Sequence, residues 1–160
     1  MNLPEPRRAS LSGYVQPGKL LPWQWVDARM EASRNYWITT HSARRNPHSR
    51  PVWDVWTAPE LWFSTGSLID RNLRANEHVE VHLESADEVV IIEGVAVPLR
   101  AENGAIWADA YNLKYSWDMP TDVTGVWTVQ PSRVMAWLCD SSGLDGGAGF
   151  SNSATEWSFR

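Results

Sequence analysis

Tyr36-Trp37-Ile38-Thr39-Thr40-His41, Pro47-His48-Ser49-Arg50-Pro51-Val52-Trp53 and Leu61-Trp62-Phe63-Ser64-Thr65-Gly66 follow one another in the first half of the chain. Each is short and rich in aromatic and β-branched residues, and turn formers separate them, which is how strands read. The polar, positively charged Ser42–Pro47 turns the first run into a second strand, His48–Trp56. Ala58-Pro59-Glu60 turns that strand into a third, Leu61–Thr65. Working outward, Val79, Val81 and Leu83 alternate with Glu80, His82 and Glu84, as in a half-buried strand. Val89–Val97 reads as a strand buried on both sides around its centre. Gly125–Gln130 and Arg133–Leu138 read as two strands joined at Pro131, and Ala154–Phe159 as a last one. Helical spacing is confined to three places. These are residues 22–34, with Trp23, Val26 and Met30 in register; Ser67–Ala75, with Ser67 as N-cap; and residues 102–116, with Ile106, Ala110 and Leu113 on one face. Pro4, Pro6, Gly13, Pro17 and Gly18 make residues 1–21 an arm without regular structure. The expected fold is mainly β: at least six antiparallel strands in a closed or partly open barrel, with peripheral helices, over residues 22–160.

Composition narrows the function classes. The chain has 160 residues, 43% hydrophobic and 21% charged, which suits one globular domain. Its net charge of −5 argues against a general affinity for nucleic acid or anionic membrane. The longest aliphatic run is Val89–Ile92, far short of a membrane helix, and the first residues carry charge with no apolar stretch behind it. Cys139 is the single cysteine, which fits a reducing compartment, so a cytoplasmic protein is expected. It ends an apolar strand and reads as buried and inert. The eleven tryptophans are spread along the whole chain. That spread fits core and subunit interface better than a single ligand box, although flat aromatic walls also suit a flat heteroaromatic ligand.

Few motifs announce chemistry. Ser64-Thr65-Gly66-Ser67 leaves a strand and enters a helix, where hydroxyls and free N–H groups can hold a phosphate. Arg50 and Arg71 stand close enough in sequence to add charge-assisted bonds. His78 and His82 share one face of a strand at a spacing of ~13 Å, too far for one metal ion. His41 and His48 flank a turn without a carboxylate at ligand spacing, so no metal site is expected. Gly143–Gly149 lacks the strand-to-helix context of a nucleotide loop and reads as a flexible loop. No nucleophile elbow is present, and no residue declares itself catalytic.

The order of these segments resembles the pyridoxamine 5'-phosphate oxidase-like family, the FMN-binding split barrels. The three opening runs carry the resemblance, together with Arg71-Asn72-Leu73-Arg74-Ala75-Asn76, Val79–Glu84 and Val90-Ile91-Ile92-Glu93-Gly94. Tyr111-Asn112-Leu113-Lys114-Tyr115-Ser116-Trp117-Asp118 and Ala154–Phe159 are similar to the branch that includes deazaflavin-dependent reductases. The resemblance implies a six-stranded antiparallel Greek-key split barrel that forms a homodimer. FMN, or alternatively the deazaflavin coenzyme F-420, would lie in the cleft between subunits. Arg50, Pro51, Val52 and Trp53 would run along the ring and its chain. Ser64, Thr65, Gly66, Ser67, Arg71 and Asn72, together with Arg50, would take the phosphate, and Lys114, Trp117 and Trp157 would stand near the cleft mouth. The implied activity is hydride transfer, performed by the cofactor, to or from a small hydrophobic or conjugated substrate. The chain also departs from the pattern. The loop Gly66–Arg71 is short, with Ile69 where a cation is usual, Ser116 replaces a Gly, and Glu156 and Ser158 replace arginines at the cleft edge. These departures motivate the alternative of a split-barrel dimer that has lost tight cofactor binding and serves as a binding or structural protein.

Overall fold

The structure, a computed structural model, describes residues 3–10, 18–66 and 68–159. Its strands are β1 (Arg7–Arg8), β2 (Tyr36–His41), β3 (Pro47–Val52), β4 (Asp54–Thr57), β5 (Glu60–Ser64), β6 (His78–His82), β7 (Glu88–Pro98), β8 (Val126–Leu138) and β9 (Thr155–Ser158). The helices are α1 (Trp23–Ala32), α2 (Leu68–Ala75), α3 (Gly104–Tyr115) and α4 (Ala148–Ser153). All described pairings are antiparallel, in the order β1-β9-β8-β7-β6-β2-β3, with β5 joining β8 to β4. Taking β3 and β4 as one bent strand, the barrel wall is β2, β3–β4, β5, β6, β7 and β8. The wall is not closed: among the described residues β3 pairs only with β2, and β4 only with β5. The opening falls at Trp53, the single residue between them, so the expected unbroken strand over 48–56 is two strands.

Alternation along the strands sorts side chains into two buried clusters. Leu61 and Phe63 of β5 point into the barrel with Ile38, Val81, Ile92 and Val134, and α1 closes that interior with Trp23, Val26 and Met30. Their neighbours Val55 and Trp62 point the other way, under α3. The face of α3 that packs is Trp107, Ala108, Tyr111 and Tyr115; of the expected stripe, Ala110 is half-buried against this cluster, while Ile106 and Leu113 face out. Ile106 is 56% exposed and Leu113 87%. Three large rings at i, i+4 and i+8 bury more area than three aliphatic groups, and that decides which face turns inward.

Four further expectations change. Residues 126–138 form one strand through Pro131. Opposite that proline, β7 shifts register between Glu93 and Gly94, so no amide is asked of it. A side chain at position 94 would meet the Gln130 carbonyl oxygen at 2.2 Å, which is why glycine stands there. Strand β7 itself alternates buried and half-buried residues instead of being covered on both sides. The glycine-rich segment contains α4, entered through Gly146 and Gly147 with φ of +62° and +82°. The arm is partly ordered too: Arg7 and Arg8 pair with Glu156 and Thr155 of β9. Gly13, Pro17 and the expected N-cap Ser67 lie outside the described residues. No helix among the described residues is long and apolar enough to cross a membrane.

Candidate functional site

The site begins at the break in the wall. Trp53, 44% exposed, stacks on Tyr115 with ring centroids 5.2 Å apart and 10° between planes, and Trp117 meets it edge-on at 6.3 Å. The end of α3 fixes this arrangement through the backbone of the next residue. The Asp54 N–H donates to the Tyr115 hydroxyl oxygen at 2.9 Å, and that hydroxyl donates to the Arg34 carbonyl at 2.6 Å. Lys114 Nζ donates to the Asp54 carbonyl at 3.0 Å and to the Tyr36 hydroxyl at 2.8 Å. Lys114 therefore holds the strand behind Trp53.

Two clefts open on this side of the molecule and share Ser64 and Thr65. The first, about 310 Å³, has Pro51, Val52, Trp53, Ile69 and Tyr111 as its apolar and aromatic walls and Arg50 at its rim. The second, about 480 Å³, continues from the two hydroxyl residues past Gly66 to Asp70, Arg74, Thr124 and Gly125. Gly125, at φ +75°, brings its carbonyl to the Thr65 N–H at 2.9 Å, and a side chain there would stand 3.0 Å from the Thr65 oxygen. At Gly66 nothing lies within 4 Å of where a Cβ would be, so the groove stays open past it. Together the clefts make a groove with a flat apolar wall, a hydroxyl-lined middle and a polar end. A planar ring carrying a polyhydroxylated tail fits this outline, and the volumes lie in the usual ~300–1,000 Å³ range of small-molecule sites.

The sequence-derived set divides accordingly. Arg50, Pro51, Val52, Trp53, Ser64, Thr65 and Gly66 line the groove. Trp117 stands beside it against Trp53. Arg71 is exposed and lines neither cleft. Asn72 is buried, and its Nδ2 donates to Thr40 Oγ1 at 3.0 Å, tying α2 to β2 instead of facing the groove. Trp157 is fully buried against Trp23, 5.4 Å away at 84°, so it belongs to the core and not to a cleft mouth. Glu156 does not face the cleft edge: it is buried between Arg7 (Nε–Oε1 2.9 Å) and Arg133 (Nη2–Oε2 2.7 Å). Sequence reasoning missed Tyr111 and Tyr115, whose signal was the ring spacing with Trp107, and Arg74, whose signal was a carboxylate one turn earlier at Asp70.

Two groups behind Trp53 are electrostatically unusual. Asp54 is fully buried, and neither carboxylate oxygen has a hydrogen-bond partner among the described residues. Burial pushes its carboxyl well above the ordinary value, with the Lys114 charge opposing. Burial likewise brings the Lys114 amine down to about 8, with Asp54 opposing. Burial also raises the hydroxyls of Tyr36, Tyr111 and Tyr115, with the Asp54 charge adding to it, so all three stay protonated donors near neutrality. Among the described residues no three His, Cys, Asp or Glu side chains come together as a metal-ligand set.

No family model matches the sequence, and no curated protein matches it either. Solved structures do. A conserved hypothetical protein from Mycobacterium tuberculosis superposes with a TM-score of 0.66 at 18% identity, over 85% of this chain and 94% of that one. A protein of the pyridoxinephosphate oxidase family, related to general stress protein 26, from Clostridium acetobutylicum gives 0.54 at 10% identity over 71% and 87%. The fold is that of the pyridoxamine 5'-phosphate oxidase-like split barrels. An F-420 reductase shares it, with a TM-score of 0.52 and 21% identity over 68% of this chain and 94% of that one. At these identities the likeness is one of fold. In this chain the groove has Tyr111 in its apolar wall and the Asp70–Arg74 pair at its polar end.

Proposed function

We propose that this split barrel is a cytoplasmic flavin-dependent oxidoreductase that takes FMN, with F-420 as the alternative cofactor, and acts on a small hydrophobic or conjugated substrate. The observation that carries the reading is the groove, whose flat Val52–Trp53–Tyr111 wall runs into the Ser64–Thr65 hydroxyls. A bound flavin would supply reversible two-electron hydride exchange at its ring. The chain's own contribution is position and environment. Trp53, braced by Tyr115, holds a ring face, Ser64 and Thr65 hydrogen-bond the tail, and Arg50 stands ready at the rim for a negative charge. The arrangement leaves one side of Trp53 and Trp117 uncovered, and Ile106 and Leu113 are exposed on α3. A second copy of the chain covering this side would complete the water exclusion that hydride transfer requires.

The test is a titration of the purified protein with FMN and with F-420, followed by quenching of tryptophan fluorescence. We expect saturable binding of one of them in the micromolar range. Trp53→Ala should weaken it about tenfold or more, since removing one stacked ring contact and its burial costs on the order of 1–3 kcal/mol. Failure of both cofactors to bind would overturn the reading. A second reading, a split barrel that binds its ligand without redox turnover, is favoured by one observation: Arg74, a cation at the polar end, is already engaged by Asp70. Saturable binding of a flavin that no nicotinamide or chemical donor reduces in place would support that reading instead.

A further inference from the structure

The two clefts that meet at Ser64 and Thr65 differ in charge, and the difference bears on which flavin the groove takes, an inference that rests on the flavin reading above. On the ring side Arg50 is exposed and, among the described residues, donates to the neighbouring Ser49 carbonyl alone, at 3.0 Å. At the far end the charged lining residues, among those described, are Asp70 and Arg74. They stand one turn apart on α2, and the guanidinium grips the carboxylate with two bonds, Nε to Oδ2 at 2.8 Å and Nη2 to Oδ1 at 3.1 Å. The Trp127 ring lies 5.9 Å from the guanidinium carbon, so a flat neighbour covers one side of Arg74 while Asp70 occupies its donor edge. The bonds from Arg74 hold the Asp70 carboxyl below its ordinary range, which keeps it ionised at neutral pH.

The net charge of this end is therefore zero, and it is already paired. A phosphate arriving there finds Nε and Nη2 of Arg74 already given to Asp70 and, whichever of the remaining N–H groups it uses, lies beside a carboxylate. What it gains from the guanidinium is offset by sharing that cation with Asp70 and by the like-charge contact. A tail of hydroxyls meets neither cost, because Ser64, Thr65 and the carboxylate itself accept or donate hydrogen bonds to it. We propose that Asp70 is the selectivity residue of the groove: by occupying Arg74 it lets the far end accept a polyhydroxylated tail without a terminal phosphate as readily as a phosphorylated one.

The experiment compares riboflavin with FMN by tryptophan quenching, for the wild-type protein and for Asp70→Asn, Asp70→Asn/Arg74→Gln and Arg50→Gln, each checked for fold by near-ultraviolet circular dichroism. The wild type should bind the two flavins within about threefold of each other. Asp70→Asn should tighten FMN about tenfold and leave riboflavin unchanged, the size of one charge-assisted bond gained. The double variant should lose that gain. An FMN preference well above tenfold in the wild type, or an unchanged ratio in Asp70→Asn, overturns the proposal while leaving the flavin reading in place. A selective loss of FMN in Arg50→Gln also overturns it, because the phosphate would then sit on the ring side. If neither flavin binds any of the proteins, FMN is not the cofactor and the proposal falls with it, while F-420 binding is read separately by the titration above.

Discussion

Asp54 sits one residue beyond the ring-stacking Trp53, and its carboxylate has nothing to accept from, although Lys114, Tyr36, Tyr111 and Tyr115 all stand near enough to feel its charge. Arg34 and Glu31 add charges of opposite sign to the same cluster. A buried acid in this position stays protonated in the folded chain at pH values where the unfolded chain has already released the proton. Between its ordinary value of 3.8 and its raised folded value, the native state thus binds more protons, and stability falls as pH rises. Lys114 acts in the other direction: its folded value of about 8 lies below the ordinary 10.5, so across that interval stability rises with pH. Asp54→Asn, which keeps the shape and removes the ionisation, should match the wild type near pH 4 and outlast it increasingly toward neutrality. Urea unfolding at both pH values measures this, and parallel curves for the two proteins would show that Asp54 is not a buried acid.

At the scale of elements, β1 and β9 show how a two-residue strand is kept. Its ladder is too short to hold alone, but Glu156 of β9 takes Arg7 from β1 on one oxygen and Arg133 from β8 on the other. Burial alone would raise the Glu156 carboxyl, yet the bonds from Arg133 and Arg7 hold it below its ordinary 4.5. Its contribution is therefore complete above pH 4.5 and is lost as pH falls through the lowered folded value. Glu156→Gln should cost about 1–3 kcal/mol at pH 7, release the arm to proteolysis, and cost less in acid. Equal stability and equal protease resistance at pH 7 would refute it. None of this was readable in the chain, because Glu156 in an alternating run looks like an outward-facing residue and its partners come from positions 7 and 133. The strands themselves were readable from their composition and turn formers, and in β6 the alternation of Val79 and Val81 with Glu80 and His82 let a period of two fix which side faces inward. Pro131 misled because a proline inside a strand reads as its end, and the shift at Gly94 that absorbs it lies in another strand. The α3 face misled because Ile106, Ala110 and Leu113 have helical spacing too, whereas Tyr111 and Tyr115 bury their rings and leave only their hydroxyls to be satisfied. Groove residues next to one another in sequence, Arg50–Trp53 and Ser64–Gly66, were legible; Asn72 and Trp157 were not, because a buried amide and a buried indole carry no mark in sequence that separates packing from binding.

For the molecule as a whole, the wall's two free edges belong to strands that are neighbours in the chain. Hydrogen bonding runs from β3 through β2, β6, β7, β8 and β5 to β4, and stops there, with Trp53 alone bridging the gap. Trp53 is thus both the lip of the groove and the hinge of the seam. A ligand ring lying flat on it would rest on the residue that joins both edges and would act on them as a clasp. Occupancy then becomes a mechanical state of the barrel. Amide hydrogen exchange should slow on FMN binding along β3 and β4 and stay unchanged in β6 and β7, where the ladder is already sealed on both sides. Uniform slowing across all strands would mean instead that the ligand steadies the fold at large and that the seam bears no load. A barrel fastened in this way would record whether its site is full in the stiffness of one lip, where Trp117 stands against Trp53.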